Sequence, residues 1–278
     1  VREWLLELRV GGRSPQTIQW YQCHWRNFRG RGGAATLEEL TGGHVKLYLA
    51  SLQDRGLADT SVRGAFLTLK CFANWAAREG YPVDPALMRL RTPRVAVKEM
   101  VTYAPEQLAA IDAATPAGWP KLAVRLLLGT GMRIAELCDL RLEDLEDDGE
   151  HVFLKVRRGK GAKFRRVPVS QRLRRDLVRY INRERPETDG THLLVKPNGR
   201  VVEVMTVTNI LRRIRLTVGF PVHAHRFRHT FATEYLRNGG EMERLRRILG
   251  HTSYFMVMRY LHLDKGDLGR DFDARTPY

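Results

Sequence analysis

The sequence predicts a mainly α protein with a small β-sheet, divided into two domains. Apolar residues recur at spacings of three and four through most of the chain, which is the helical period. Between residues 150 and 169 the pattern alternates instead, as strands require. A proline-rich, basic stretch then separates two such patterned regions. With 278 residues and 43% hydrophobic content, the chain can bury a core in each domain. The expected boundaries are 1–84 and 105–278, with a basic linker over 85–104.

Taken in order, Leu5, Leu6 and Leu8 predict a short opening helix. Ser14 followed by Pro15 is an N-cap with proline at the first helical position. Ile18, Tyr21, Trp25 and Phe28 give the helix that follows one apolar face. Val45, Tyr48, Leu49 and Leu52 point inward from a helix over 44–54. Val62, Phe66, Leu69, Phe72 and Trp75 do the same from one that stops near Gly80. In "YPVDPALMRLRTPRVAVKEMVTYA", Pro82, Pro85 and Pro93 break regular structure. Arg89, Arg91, Arg94 and Lys98 make that stretch a solvated connector or a strap along a polyanion.

Helical period returns in "PEQLAAIDAAT" and "WPKLAVRLLLGTG", and "RIAELCDLRLEDL" opens a further helix after Gly131. "EHVFLKVRR" and "KFRRVPV" read as two strands joined around "GKGA", which places Lys160 at a hairpin tip. The acidic run "EDLEDDGE" reads as a solvated turn, and "THLLV" at 191–195 as a short third strand. Helices are expected over 170–183, 203–217, 225–237, 241–249 and 253–262.

Lys and Arg outnumber Asp and Glu by 47 to 31, a formal charge of +16, and the sequence pI is about 10.2. An excess that large favours a polyanionic partner, because neutralising phosphates releases counterions. Cys23, Cys71 and Cys138 are widely spaced within apolar helical patterns and are expected as reduced core residues. No 18-residue apolar run is present, and "VREWLLELRVGG" lacks a signal-peptide layout. A cytoplasmic protein is expected.

The chemistry-bearing residues lie in the C-terminal half. Arg133 follows Gly129-Thr130-Gly131 and starts a helix, where glycines let backbone pass close to a ligand. Glu136 shares its helical face. Lys160 sits among Arg157, Arg158, Lys163, Arg165 and Arg166, either as a solvated turn charge or as a flexible ammonium. "FPVHAHRFRHTFAT" holds two overlapping His-x-x-Arg pairs, His223 with Arg226 and His225 with Arg228. His251 stands in "LGH", ahead of Tyr260 in "RYLH", and Tyr254 is a rival tyrosine. Metal binding by these histidines is disfavoured, since no carboxylate or cysteine lies at ligand spacing and the intervening arginines repel a cation. Two guanidiniums to hold phosphate oxygens, a lysine to protonate a leaving oxygen and a tyrosine to attack phosphorus suit metal-free phosphodiester chemistry. Neither a P-loop nor a two-metal carboxylate cluster is present.

These motifs resemble those of the tyrosine recombinase (phage integrase) family, over nearly the whole chain. "TGMRIAEL" is similar to the family's "TGxRxxEL", "GKGAKFRRVP" to its lysine hairpin, "HAHRFRHTFAT" to "HxxRHTFAT", and "LGH" with "RYLH" to its last motif. The resemblance implies catalytic roles for Arg133, Lys160, His225, Arg228, His251 and Tyr260, with Glu136 orienting Arg133 and Lys163 a decoy. DNA contacts are expected at Arg89, Arg91, Arg94, Lys98, Arg157, Arg158, Lys163 and Arg226, with His223, Arg226 and His229 otherwise structural. It further implies a helical core-binding (SAM-like) domain joined to a mixed α/β catalytic domain, closing on DNA as a C-shaped clamp. No arm-binding domain is read ahead of the helical one, the layout of transposon-borne integrases and Xer-type resolvases.

The implied activity is site-specific DNA recombination through a 3′-phosphotyrosine, without cofactor or metal, by four protomers on two DNA sites through a Holliday junction. The alternatives are a type IB topoisomerase, which has the same chemistry but relaxes one duplex, and a DNA-binding module with a silent catalytic set.

Overall fold

The computed structural model describes the chain apart from residues 32, 35, 96–100, 158–163, 252, 259 and 261–278. It divides into two compact units, Val1–Lys98 and Glu99–Tyr278. The expected sites Lys98, Arg158, Lys160 and Lys163 lie outside the described residues.

The first unit is helical: α1 (Arg2–Val10), α2 (Pro15–Arg29), α3 (Gly42–Asp54), α4 (Asp59–Arg78) and α5 (Pro85–Arg89). The Ser14 hydroxyl accepts from Thr17 N at 3.2 Å, so the cap that starts α2 forms as the sequence requires. The inward faces of α2, α3 and α4 meet in one aromatic core that includes Trp4, Phe28, Tyr48, Phe66, Phe72 and Trp75.

Two expectations change here. Residues 85–89, read as broken by proline, are helical and seat Leu87 (0% exposed) in this core. Pro85 occupies the first helical turn, where its missing N–H costs nothing, and the Asp84 carboxylate accepts from Ala86 N and from Gly42 N at the start of α3. Cys23, read as core, is exposed. It lies two residues from Tyr21, about 200° around α2, so it faces away from the apolar stripe.

The second unit runs α6 (Pro105–Ala114), α7 (Trp119–Thr130), α8 (Ile134–Cys138), β1 (Leu145–Asp147), β2 (Val152–Val156), β3 (Arg165–Val169), α9 (Gln171–Arg179), α10 (Val204–Val218), α11 (Ala224–Arg237), α12 (Met242–Leu249) and α13 (Tyr254–Met258). Helix α7 buries Leu122, Leu126 and Leu127 at the centre and packs on α11. The sheet is antiparallel in the order β1-β2-β3, with Leu145 opposite Leu154 and Val156 opposite Arg165. Val156 and Val167 pack on Ile248 of α12.

The acidic run is a solvated turn only in its second half, where residues 148–150 are exposed between β1 and β2. Asp144 is 1% exposed, accepts from Arg141 N at 2.9 Å and pairs with Arg157, and the next three residues form β1. The expected strand at 191–195 is present as isolated bridges at His192 and Val195. The helix expected to run on from Arg133 ends at Cys138. No helix among the described residues is long and apolar enough to cross a membrane.

Candidate active site

The site forms where α7, α11 and α12 converge. Helices α7 and α12 each end in a left-handed glycine, Gly131 at φ 62° and Gly250 at φ 66°, a conformation costly for any residue with a Cβ. A Cβ on Gly131 would also meet Leu249 Cδ2 at 2.9 Å and run into Phe231. The glycines of the "GTG" motif thus serve close packing within the protein. The sharp exits leave Gly131 O and Leu249 O unpaired by their helices, and both turn toward α11.

Arg228 of α11 fills that gap. It is 2% exposed, and donates from Nη1 to Gly131 O at 2.7 Å and from Nη2 to Leu249 O at 2.8 Å. Two helix C-termini carry partial negative charge, which compensates a buried cation whose desolvation would otherwise cost several kcal/mol. Burial, then repulsion from Arg133, pushes its pKa down to about 10. Arg228 therefore stays charged at neutral pH.

His251, 6% exposed, follows Gly250 and places Nε2 at 2.8 Å from Arg228 Nη2. A guanidinium can only donate, so Nε2 accepts and the ring proton sits on Nδ1. That Nδ1 is buried with no hydrogen-bond partner among the described residues. Burial, then the charges of Arg228, Arg133 and Arg165, lower the imidazole to about 4, so it is neutral.

This shift has a sign that can be tested. With the ordinary value at 6.5 and the folded value at about 4, the unfolded chain binds more protons between those two pH values. Stability therefore rises with pH across that window and is flat in this group above it. A His251→Gln variant should lose less stability than the parent when urea unfolding is compared across the same window.

The Tyr260 ring, 6% exposed, lies parallel to His251 with centroids 6.3 Å apart and an interplanar angle of 5°. It also stands 5.6 Å from His229, which is 4.6 Å from His225. The rings of His225, His229 and Tyr260 thus form one run along the end of α11, with His225 at its exposed end. Tyr254 is placed differently. Its hydroxyl donates to Glu243 Oε2 at 2.6 Å, a bond that raises its pKa above the ordinary value, and its ring lies 5.2 Å from the Arg246 guanidinium.

Arg133 is the N-cap residue of α8. Glu136 accepts from Arg133 N at 2.8 Å and from Arg133 Nη1 at 3.0 Å. Burial pushes the Glu136 carboxyl up, but hydrogen bonds from Arg165 and Arg133 together with their charges outweigh it and hold the group below its usual range. It is ionised at neutral pH. Arg165 was missed in the sequence, where it is one of several basic residues around the hairpin. Its side chain is only 9% exposed and grips Glu136 with two hydrogen bonds, 2.9 and 2.7 Å.

Arg226 corrects an expectation. Of the two roles its sequence suggests, DNA contact or structure, the geometry fits the structural one: it is buried, its guanidinium 4.2 Å from the Tyr103 ring centroid. Nη2 donates to Thr102 O at 2.8 Å and Gln107 Oε1 at 3.2 Å. The cation joins the start of the unit to α11. Arg157 likewise directs its guanidinium to Asp144 and Glu143. Arg89, Arg91 and Arg94 are exposed. Among the described residues no group of three or more His, Cys, Asp or Glu is placed to hold a metal ion.

Residues 101–267 match the model of the phage integrase family. The chain belongs to that family, the tyrosine recombinases. Tyrosine recombinase XerA of Pyrococcus furiosus is 30% identical over 265 residues, covering 94% of this chain and 88% of that protein. Tyrosine recombinase XerC of Oceanobacillus iheyensis is 28% identical over 280 residues, covering 95% and 91%. A lambda integrase dimer bound to a COC′ core site, 21% identical, superposes with a TM-score of 0.78 over 100% of this chain and 80% of that one. That last likeness is one of fold.

Proposed function

We propose that this tyrosine recombinase is a site-specific DNA recombinase whose nucleophile is Tyr260. The observation that carries the reading is the Arg228–His251–Tyr260 stack: a buried cation, a neutral imidazole hydrogen-bonded to it, and a phenol lying against that imidazole.

The phenolic oxygen of Tyr260 attacks phosphorus, the bond from phosphorus to the 5′-oxygen breaks, and a 3′-phosphotyrosine forms. Tyrosine ionises near pH ~10 in water, so a base is needed, and His225 at the exposed end of the histidine run takes the proton. Arg133 and Arg228 neutralise the non-bridging oxygens as charge builds. His251 offers the Nδ1 proton, whose buried donor a phosphate oxygen would satisfy. Lys160 is assigned on its motif to protonate the departing 5′-oxygen. Tyr254, whose proton is held by Glu243, is the poorer nucleophile. The phosphotyrosine retains the bond energy, so a 5′-hydroxyl from a second strand rejoins the DNA without ATP.

The first unit, Val1–Lys98, serves as the core DNA-binding domain and the second, Glu99–Tyr278, as the catalytic domain. Arg89, Arg91 and Arg94, exposed near the end of the first unit, are offered to DNA phosphates. The working assembly is a tetramer on two DNA sites in the cytoplasm.

The test is a substrate carrying two sites, one radiolabelled and one nicked beside the scissile phosphate to trap the cleaved state. Recombinant joints between the two are expected. Relaxation of single duplexes with no joints would point to a topoisomerase instead.

A further inference from the structure

We propose that Arg165 is a positioning residue, which acts through Glu136 to keep Arg133 aimed and the net local charge positive, and also fixes the turn that carries His251. The inference rests on the recombinase reading above.

Three contacts support it. First, Arg165 holds both carboxylate oxygens of Glu136, while the Arg133 side chain reaches only Oε1, at 3.0 Å. A two-pronged guanidinium–carboxylate pair is the stronger and more directional grip. Glu136 therefore belongs chiefly to Arg165 and serves Arg133 as a fixed acceptor. The charges matter as much. Arg133 and Glu136 alone sum to zero beside the phosphate, whereas Arg133, Glu136 and Arg165 together leave one positive charge.

Second, Arg165 Nε donates to Ile248 O at 2.7 Å, and Arg228 takes the next carbonyl, Leu249 O. Two guanidiniums thus bond successive carbonyls of the last turn of α12, immediately before His251. A Cβ at Gly250 would stand 3.1 Å from Arg165 Cδ and 3.2 Å from its Nη1. The guanidinium passes beneath that glycine.

Third, Arg165 opens β3 opposite Val156, the last residue of β2. It is the paired position nearest the connection in which Lys160 stands. One side chain at the start of β3 therefore joins the acceptor of Arg133 to the turn of His251.

The test uses the full chain with nicked DNA under single-turnover conditions, protein in excess. In Arg165→Met, the rate of covalent adduct formation should fall about 10²-fold, the cost of a small misplacement of a reacting group, while DNA affinity stays at the parent level. Arg165→Lys keeps the charge but loses the fork, and should lie between. Adding Glu136→Gln to Arg165→Met removes the uncompensated carboxylate and should recover part of the rate, a coupling that general loosening of the fold would not give. Should Arg165→Met fail to fold, Arg165→Lys is compared with Arg165→Lys/Glu136→Gln in the same way. A folded Arg165→Met at the parent rate, or a double variant no faster than its single parent, overturns the proposal. A parent protein that forms no adduct overturns the recombinase reading instead.

Discussion

Arg228→Ala is expected to lower the rate of DNA cleavage by about 10²–10³-fold, the usual loss when one preorganised donor to a transition-state oxyanion is removed. The variant should also melt earlier. Gly131 O and Leu249 O each lose their partner, and an unsatisfied buried acceptor costs about 1–3 kcal/mol. The imidazole of His251 loses its neighbour too, so the Tyr260 ring loses a fixed wall. Arg228→Lys separates these effects. It keeps the charge but presents an ammonium where a planar fork spans two carbonyls and an imidazole nitrogen, so it should recover part of the stability and little of the rate. Single-turnover cleavage and thermal unfolding on the same preparations check both.

Tyr260→Phe is expected to abolish the covalent adduct while DNA affinity and fold persist. The change removes one oxygen and leaves the ring against His251 and His229, so stability should move by no more than about 1 kcal/mol. Tyr254→Phe should keep the adduct, since the Tyr254 hydroxyl is engaged with Glu243. The pair of variants is read by denaturing gels on labelled nicked DNA. An adduct that survives Tyr260→Phe and vanishes with Tyr254→Phe would transfer the role to the other tyrosine.

What the sequence conveyed depended on whether the cause was local. The faces of α2, α3 and α4 follow from spacing alone, because a helix on a core needs one apolar stripe. The Ser14-Pro15 cap and the alternation of β2 are equally local. The placing of Arg228, His251 and Tyr260 together was reachable only through family motifs, since these residues come from α11, the turn after α12 and the turn beyond α13. Where a cation's fate depends on a distant partner, composition misleads. Arg226 looks like a DNA contact until Tyr103, more than a hundred residues earlier, covers it. Arg165 looks like one of a solvated group until Glu136 takes its guanidinium. Asp144 looks like surface charge until Arg157 folds over it. In each, a buried ion pair or cation–π contact made by tertiary structure reversed the reading that residue type invites. Cys23 departs through period rather than distance, two positions from both Tyr21 and Trp25 and so on the side of α2 away from the stripe.

In the proposed chemistry a phenol joins DNA with guanidiniums, not metal ions, answering the charge. The parent protein is incubated with nicked DNA in EDTA, the covalent product is digested with protease, and the DNA-linked peptide is sequenced by mass spectrometry. Phosphorylated nucleotide on Tyr260, formed as fast in EDTA as in Mg²⁺, is the predicted result. An adduct on any other residue, or one that forms only when Mg²⁺ is supplied, would contradict it.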